Sequence, residues 1–402
     1  MSFSLFSKNK KGTTNHLVVD IGSGSIAGAL LVLNEENKTF ALTKVLRKEL
    51  LLKENAQFEE FVSSMGSGLK GILSSLTLNS GKVDGVHIFL SSPWYASQSR
   101  DIKVEKSAPF PVTKKMVVEM LSKEVSLFES SFSKKYTGIG SGISILEKKI
   151  INTKLNGYRT DDMVGKKVKL FEMSLFLSMS PKDIVEMIKD VSKKYCQKSK
   201  IYFHSSSFSI FMTLKSLLPR NETYLICDVG AELTEVTCVM DGNIVQSSSF
   251  PMGSETFIKE IMKKSNKNRL EALSFVRMYG EKTLSQEEIS KFESSVGGVK
   301  DSWIKSFSKA LDTISSVGFV PKDVYLFSKS DTKIFFDELI IKEPFFGAQG
   351  ARSFSVTIVD AKYLSESVKV SSSESRDTSL MVSAFYMVKY LEHHQPEYAE
   401  NY

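Results

Sequence analysis

The chain has 402 residues, 42% of them hydrophobic, with 53 Lys and Arg against 46 Asp and Glu for a formal net charge of +7. A length of this order predicts about two to three domains, and the apolar fraction suffices for real cores, which excludes disordered and fibrous classes. So small an excess on so long a chain is not the concentrated charge of a nucleic-acid binder, and no nucleic acid is expected as a partner.

The first strong segment is HLVVDIGSGSIAGALLVLN. Leu17 to Val19 are β-rich, Asp20 and Gly22 open a turn, Ala29 to Leu33 read as a second strand and Thr39 to Val45 as a third, which makes a β-meander. A helix is expected over 55–76, with Phe58, Phe61, Val62, Met65, Leu69 and Ile72 at helical spacing. The strand Val86 to Leu90 follows.

A different pattern comes next. A strand at Val86 to Ser91 leads to a helix at Lys114 to Phe128, then two long β-type runs, Ile143 to Leu155 and Lys167 to Leu177, and a helix at Pro181 to Tyr195. Asn156-Gly157 punctuates the two runs. This strand–helix–strand–strand module reads as an insertion into the first lobe.

About two hundred residues after the first meander its order recurs. Tyr224 to Cys227 form a strand, Asp228 and Gly230 open a turn, Leu233 to Met240 return, Asp241-Gly242 marks a tight turn and Ile244 to Phe250 complete the meander. Helices are expected at Glu255 to Lys264, Arg269 to Met278, Ser285 to Val296 and around the stripe Trp303, Ile304, Phe307, Ala310, Leu311 and Ile314, before the strand Val324 to Phe327. Val370 to Asp377 read as a flexible loop and Thr378 to Leu391 as a final helix.

The chemistry lies in the two Asp-x-Gly turns. A glycine-rich, hydroxyl-rich turn between antiparallel strands exposes backbone N–H groups that can ring a phosphate. In DIGSGS, Gly22 and Gly24 allow close approach and positive φ, and Ser23 and Ser25 offer hydroxyls. Asp20 at a strand end can hold Mg²⁺, directly or through water. In DVGAELTEV, Asp228, Gly230, Ala231 and Thr234 take the same places. Two such turns facing one another would clamp a nucleotide polyphosphate, so ATP and Mg²⁺ are the expected ligands.

LVVDIGSGSIAGALLV and LICDVGAELTEVTCVMDG resemble the two phosphate motifs of the actin-like ATPase superfamily. Within it the closest resemblance is to the branch of the bacterial cell-division protein FtsA and the pilus-assembly protein PilM. INTKLNGYRTDDMVGKKVKLFEMSLFLS resembles part of the inserted SHS2 module of FtsA, FPMGSETFIKEI the glycine-containing stretch after the second phosphate motif, and RLEALSFVRMYG the connecting helix that follows.

The resemblance implies an α/β, actin-like (ribonuclease-H-like) two-lobe fold with an inserted SHS2-like module. It divides the chain into 1–86 and 197–222 in the first lobe, 87–196 as the module, 223–345 as the second lobe and 346–402 as a return to the first. It implies a cytoplasmic ATP-binding scaffold or adaptor in cell division, peripheral to the inner face of the membrane. Its partner would be the tubulin-like division-ring protein, with self-association into filaments. The alternatives are a PilM-like scaffold that captures a peptide of an inner-membrane pilus protein, and a pseudo-ATPase of the same fold.

The chain departs from the family at three places. The family's glycine pair, on which the adenosine ring packs, is replaced by Ser328, Lys329 and Ser330; Ala231-Glu232-Leu233 stands in the second motif; and Ser383-Ala384 replaces a glycine in the final helix. No general base is recognisable, so hydrolysis is expected to be weak or absent.

Other classes find little support. Cys196, Cys227 and Cys238 lack disulfide or zinc spacing, and only His393 and His394 of the five histidines are neighbours, so a reducing compartment without zinc is expected. No run of 18 apolar residues exists, so no spanning helix is expected, and MSFSLFSKNKKG is not a secretory leader. Phe3, Leu5 and Phe6 beside Lys8, Lys10 and Lys11 could touch an anionic membrane. No GxSxG elbow surrounds Ser205 to Ser207. Lys263, Lys264, Lys267 and Arg269 read as a solvated helix end, and His87 and His204 as residues satisfied by backbone.

Overall fold

The computed structural model describes residues 12–392 apart from 35, 37–38, 51–57, 136–141, 343–344, 348–349, 368–369 and 374–376. The apolar and basic residues expected at the N-terminus and the tail from His393 onward lie outside the described residues.

The chain opens with β1 (Thr13–Ile21), β2 (Ser25–Asn34) and β3 (Thr39–Glu49), then α1 (Phe58–Thr77) and β4 (Gly85–Leu90). The module follows as β5 (Ala96–Pro111), α2 (Lys114–Lys135), β6 (Ile143–Leu155), β7 (Tyr158–Arg159) and β8 (Lys167–Pro181). Next come α3 (Lys182–Tyr195), β9 (Lys200–Ser205) and α4 (Ser206–Leu217). The second meander is β10 (Tyr224–Val229), β11 (Thr234–Met240) and β12 (Asn243–Phe250), followed by α5 (Ser254–Ser265), α6 (Arg269–Gly280), α7 (Gln286–Ser315), β13 (Asp323–Ser328) and α8 (Lys333–Lys342). A short pair, β14 (Phe345–Gly347) and β15 (Gly350–Arg352), precedes β16 (Ser355–Ile358), α9 (Ala361–Ser367), β17 (Val370–Ser373) and α10 (Thr378–Glu392).

These elements group into two compact units. The first comprises residues up to Ser91, Asp183–Leu217 and Asp360–His394; the second comprises Ser92–Lys182 and Leu218–Val359. The first unit holds a six-stranded sheet in the order β17-β3-β2-β1-β4-β9, and the second a five-stranded sheet in the order β12-β11-β10-β13-β16. In each, an antiparallel meander is extended by two strands parallel to its first member: β4 and β9 beside β1, β13 and β16 beside β10. The recurrence read from the sequence is therefore a repeat of sheet topology.

In the first unit, α1 packs closely on β2 at two glycines, one on each side. A Cβ on Gly28 would meet Ile72 of α1 at 2.6 Å, and one on Gly68 of α1 would meet Ile26 at 2.9 Å. The second unit's core gathers Trp303 and Phe307 of α7, their rings stacked 5.0 Å apart, with Phe250 edge-on to Trp303 at 5.7 Å. Each such fully buried side chain stabilises the unit by about 2–3 kcal/mol.

Several elements differ from the sequence reading. The strand at 86–91, given there to the module, belongs to the six-stranded sheet as β4. The module's own first strand is β5, whose exposed polar residues hid it. Together β5, α2, β6 and β8 keep the strand–helix–strand–strand order, in a sheet ordered β5-β8-β6-β7. The helices expected at 285–296 and around 303–314 are one 30-residue helix, α7, running through Gly297-Gly298. The loop expected from Val370 contains β17, which pairs in parallel with β3. Asn156-Gly157 and Asp241-Gly242 have positive φ at both residues, as tight hairpin turns demand.

His87 and His204 bond to one another rather than to backbone, Nδ1 to Nε2 at 3.1 Å. Lys264 pairs with Glu260 at 2.9 Å, Lys267 lies over the Phe275 ring and Arg269 pairs with Glu255, so those three basic side chains make contacts within the chain. The module spanning 92–182 holds sixteen basic and nine acidic residues, whereas the rest of the chain has 37 of each, so the whole excess of +7 lies there.

Candidate functional site

Both Asp-x-Gly turns sit where the first strand of a meander ends, at the carboxyl edge it shares with its parallel neighbours, where open α/β sheets bind ligands. Each turn is described within its own unit.

In the first, β1 reaches Ile21, the Gly22 N–H donates to the Ser25 carbonyl at 3.0 Å, and the chain returns as β2. The Gly24 carbonyl accepts from Leu50 N at 2.8 Å, which ties the turn to the end of β3. Gly22, Gly24 and Gly230 are not among the glycines with positive φ, so their freedom is not spent on left-handed backbone. At Gly22 the need is space: a Cβ would stand 3.3 Å from the Ser25 carbonyl. Ser23 and Ser25 are buried, only 3% and 4% exposed.

Asp20 is also buried, and the sheet explains its partners. It faces Ala27 across β1–β2, and Ala27 faces Arg47 across β2–β3, so the three share one row and one face. Because the middle residue is only a methyl group, the Arg47 side chain passes over it. Its guanidinium stops 3.8 Å from the Asp20 carboxylate and donates to the Ser25 hydroxyl. The same guanidinium grips Asp377 in two-pronged fashion, Nε to Oδ2 at 2.8 Å and Nη2 to Oδ1 at 2.9 Å, and donates to the Ser379 hydroxyl at 2.9 Å.

Asp377 is itself the N-cap of α10, accepting from Leu380 N at 3.2 Å. The Ser379 hydroxyl stands 2.8 Å from Asp20, and the Ser91 hydroxyl also hydrogen-bonds Asp20 while contacting Ser206 Oγ at 2.7 Å.

The electrostatics follow from that geometry. Burial raises the Asp20 carboxyl above its ordinary value, and the charge of Arg47 offsets this only in part. Burial pushes Asp377 the same way, but the hydrogen bonds and charge of Arg47 outweigh it and hold Asp377 below the ordinary carboxylate value. Arg47, Ser91, Asp377 and Ser379 were missed in the sequence, and Ser206 was weighed there only as a nucleophile. Only Asp377-Thr378-Ser379, ahead of an apolar run, carried a readable signal, that of a helix cap.

In the second turn, Gly230 N donates to the Leu233 carbonyl at 2.9 Å. The carbonyls of Gly230 and Ala231 accept from Ser254 N and Glu255 N, both at 2.9 Å, which satisfies N–H groups at the start of α5. Thr234 is fully buried: its hydroxyl donates to the Met252 carbonyl at 2.7 Å and accepts from the Trp303 indole at 3.2 Å. Glu232 is turned to Lys259 at 2.9 Å.

Asp228 is half-buried and faces Glu235 directly across β10–β11. Glu235, also missed in the sequence, accepts from Ser92 at 2.8 Å, and burial raises its carboxyl above the ordinary value. Ser328 at the end of β13 stands in register with Val229, and its hydroxyl meets Thr332 at 2.9 Å. Lys329 turns its carbonyl to Thr332 N and Lys333 N, and Ser330 is exposed. Side chains thus replace the bare backbone that the family resemblance implies.

No family model and no curated protein matches the chain by sequence. Among solved structures it is similar to a chain of the "PilM-PilN type IV pilus biogenesis complex", with TM-score 0.59 and 16% identity over 95% of this chain and 99% of that one. It is also similar to the ethanolamine utilization protein EutJ from Carboxydothermus hydrogenoformans, with TM-score 0.45 and 9% identity over 94% and 90% of the two chains. The fold is actin-like and α/β.

Metal and phosphate can be weighed against these side chains. Among the described residues no cluster of three or more His, Cys, Asp or Glu could hold a metal ion. Mg²⁺ needs only one or two carboxylates beside substrate phosphates, so the donor at each turn decides. Asp20, buried and bonded by Ser379 and Ser91 beside Arg47, does not fit a direct metal ligand. Asp228, half-buried, fits the outer place of a hydrated cation.

Proposed function

We propose that the chain is a PilM-like scaffold that captures a short peptide of a membrane protein through its inserted module. The observation that carries this reading is an apolar groove beside strand β6. Strand β6 is paired with β8 on one side, and on the other Lys154 and Leu155 pair with β7 while the Thr153 carbonyl accepts from Thr160 N at 3.0 Å. Beside it, between α2 and β6, lies a cavity of about 230 Å³ lined by Val118, Leu121, Val125, Ile145 and Lys148. A partner's peptide can be recognised by laying its apolar side chains into such a groove. The fold shared with a pilus-assembly chain supports the choice of partner class.

The competing reading is an FtsA-like adaptor for a division-ring protein. The observation in its favour is the β6–β7–β8 segment, whose sequence resembles the module of that family. In either role each turn, Gly22–Ser25 in the first unit and Gly230–Thr234 in the second, would by itself offer a place for nucleotide phosphate, whose presence would set the state of the scaffold. Backbone N–H groups would do most of that work, since the Ser25 and Thr234 hydroxyls serve the fold. A hydrated cation, when bound with the nucleotide, would supply charge neutralisation at Asp228. No helix among the described residues is long and apolar enough to cross a membrane, so the peptide would bring the scaffold to the lipid surface.

The test is fluorescence anisotropy with synthetic cytoplasmic segments of pilus membrane proteins and of the tubulin-like division protein. Micromolar binding of a pilus segment, weakened about tenfold or more by Val125→Asp, is the expected result. Binding of the division segment alone, indifferent to Val125→Asp, would overturn the proposal.

A further inference from the structure

Arg47 stands out because nothing in the sequence motifs calls for it. It lies on the third strand of the meander, outside both phosphate motifs, yet its guanidinium ends beside the carboxylate that a metal would need. The route is specific: the row Asp20–Ala27–Arg47 has its smallest member in the middle, and the cation crosses that gap. At its far end it is held by the α10 cap, Asp377, through two parallel hydrogen bonds. The equivalent row of the second unit is Asp228, Glu235 and Ser249, with two acids and no cation. The two turns therefore share a backbone plan but differ in where positive charge comes from.

We propose that Arg47 is the resident cation of the first turn, taking the place of a divalent metal at Asp20 and presenting a guanidinium to the phosphate of a bound nucleotide. The inference deepens the phosphate-turn reading above and rests on it. A planar guanidinium suits the role: it stays charged at any physiological pH, and its fork of donors serves carboxylate and phosphate alike. With Ser25, Asp377 and Ser379 as further partners it is fixed on the sheet and α10 rather than free in solvent, so its charge is placed before any ligand arrives.

The experiment uses Mn²⁺ alone, followed by electron paramagnetic resonance, on the full chain. The wild type is expected to show no Mn²⁺ bound through Asp20, so Asp20→Asn leaves its titration unchanged. Arg47→Gln, which leaves Asp20 and Asp377 without their cation, is expected to gain a Mn²⁺ site, and the double variant with Asp20→Asn to lose it again. Mn²⁺ binding by the wild type that Asp20→Asn abolishes would overturn the proposal, and so would a folded Arg47→Gln that gains no site. Should Arg47→Gln fail to fold, the wild-type and Asp20→Asn titrations still decide. ATP affinity, measured by calorimetry in EDTA on the same samples, tests the phosphate role: Arg47→Gln is expected to weaken it about tenfold. Absence of ATP binding by the wild type would sink the nucleotide reading itself, while the Mn²⁺ titrations would still settle whether Arg47 is the cation of Asp20.

Discussion

Gly253 lies so close to Ala231 that a Cβ on it would stand 2.3 Å from the Ala231 carbonyl oxygen and 2.5 Å from that of Gly230. The contact is backbone against backbone, at the point where α5 receives its first hydrogen bonds from the second turn. Gly253→Ala must therefore displace the turn or the helix, since no flexible side chain can yield. We expect a loss of about 1–3 kcal/mol in urea unfolding. Wild-type stability in this variant would show that the turn and α5 are not held together as described.

Thr234 separates structure from ligand binding. Its hydroxyl serves the Met252 carbonyl and the Trp303 indole, so Thr234→Val strands a buried acceptor and a buried donor. A loss of about 1–3 kcal/mol is expected without added nucleotide. An unchanged unfolding midpoint together with weakened ATP binding would instead make the hydroxyl a phosphate ligand.

Acid should weaken the first unit through His87. Burial, with the neighbouring charges of His204 and His16, depresses its pKa well below 6.5. The unfolded chain therefore takes up a proton that the folded chain refuses. The associated stability is fully present above about pH 6.5 and is lost as the pH falls from there toward the depressed value. Thermal unfolding between pH 7 and 5 should show a slope that His87→Gln flattens. An equal slope in that variant would assign the effect elsewhere.

Asp377 has two tasks that two substitutions can divide. Asp377→Asn keeps an acceptor for the α10 cap but removes the negative charge that Arg47 grips; Asp377→Ala removes both. The alanine variant should cost about 1 kcal/mol more than the asparagine variant, the usual worth of a cap. Equal losses, by chemical denaturation, would mean that the cap contributes nothing.

Both meanders were legible in the sequence because their strands are apolar and three of their four turns carry Asp-Gly or Asp-x-Gly, the fourth being the polar run Asn34 to Lys38. The strand β5 was not: in its sequence ASQSRDIKVEKSAPFP only Phe110 is buried, so apolar content is a poor guide to it. The sequence reads as one helix ending at Val296 and another around Trp303, yet α7 is continuous through Gly297-Gly298, because the stripe from Phe292 and Val296 to Trp303 and Phe307 is buried on both sides of the pair. That burial outweighs the roughly 1 kcal/mol each glycine costs a helix. Asp20 could be named from its motif, but its counter-ion could not. Arg47 becomes visible only once the register sets it in a row with Ala27, and Asp377 is more than three hundred residues further along the chain.

The confinement of all excess positive charge to residues 92–182 has a kinetic consequence. The remainder of the chain, electrically balanced, exerts little long-range pull, so an acidic partner diffusing in solution would be steered toward the module before any contact forms. Its association rate should drop as added salt shortens the reach of that field, to about 8 Å at physiological ionic strength, while a neutral peptide's rate should hardly move.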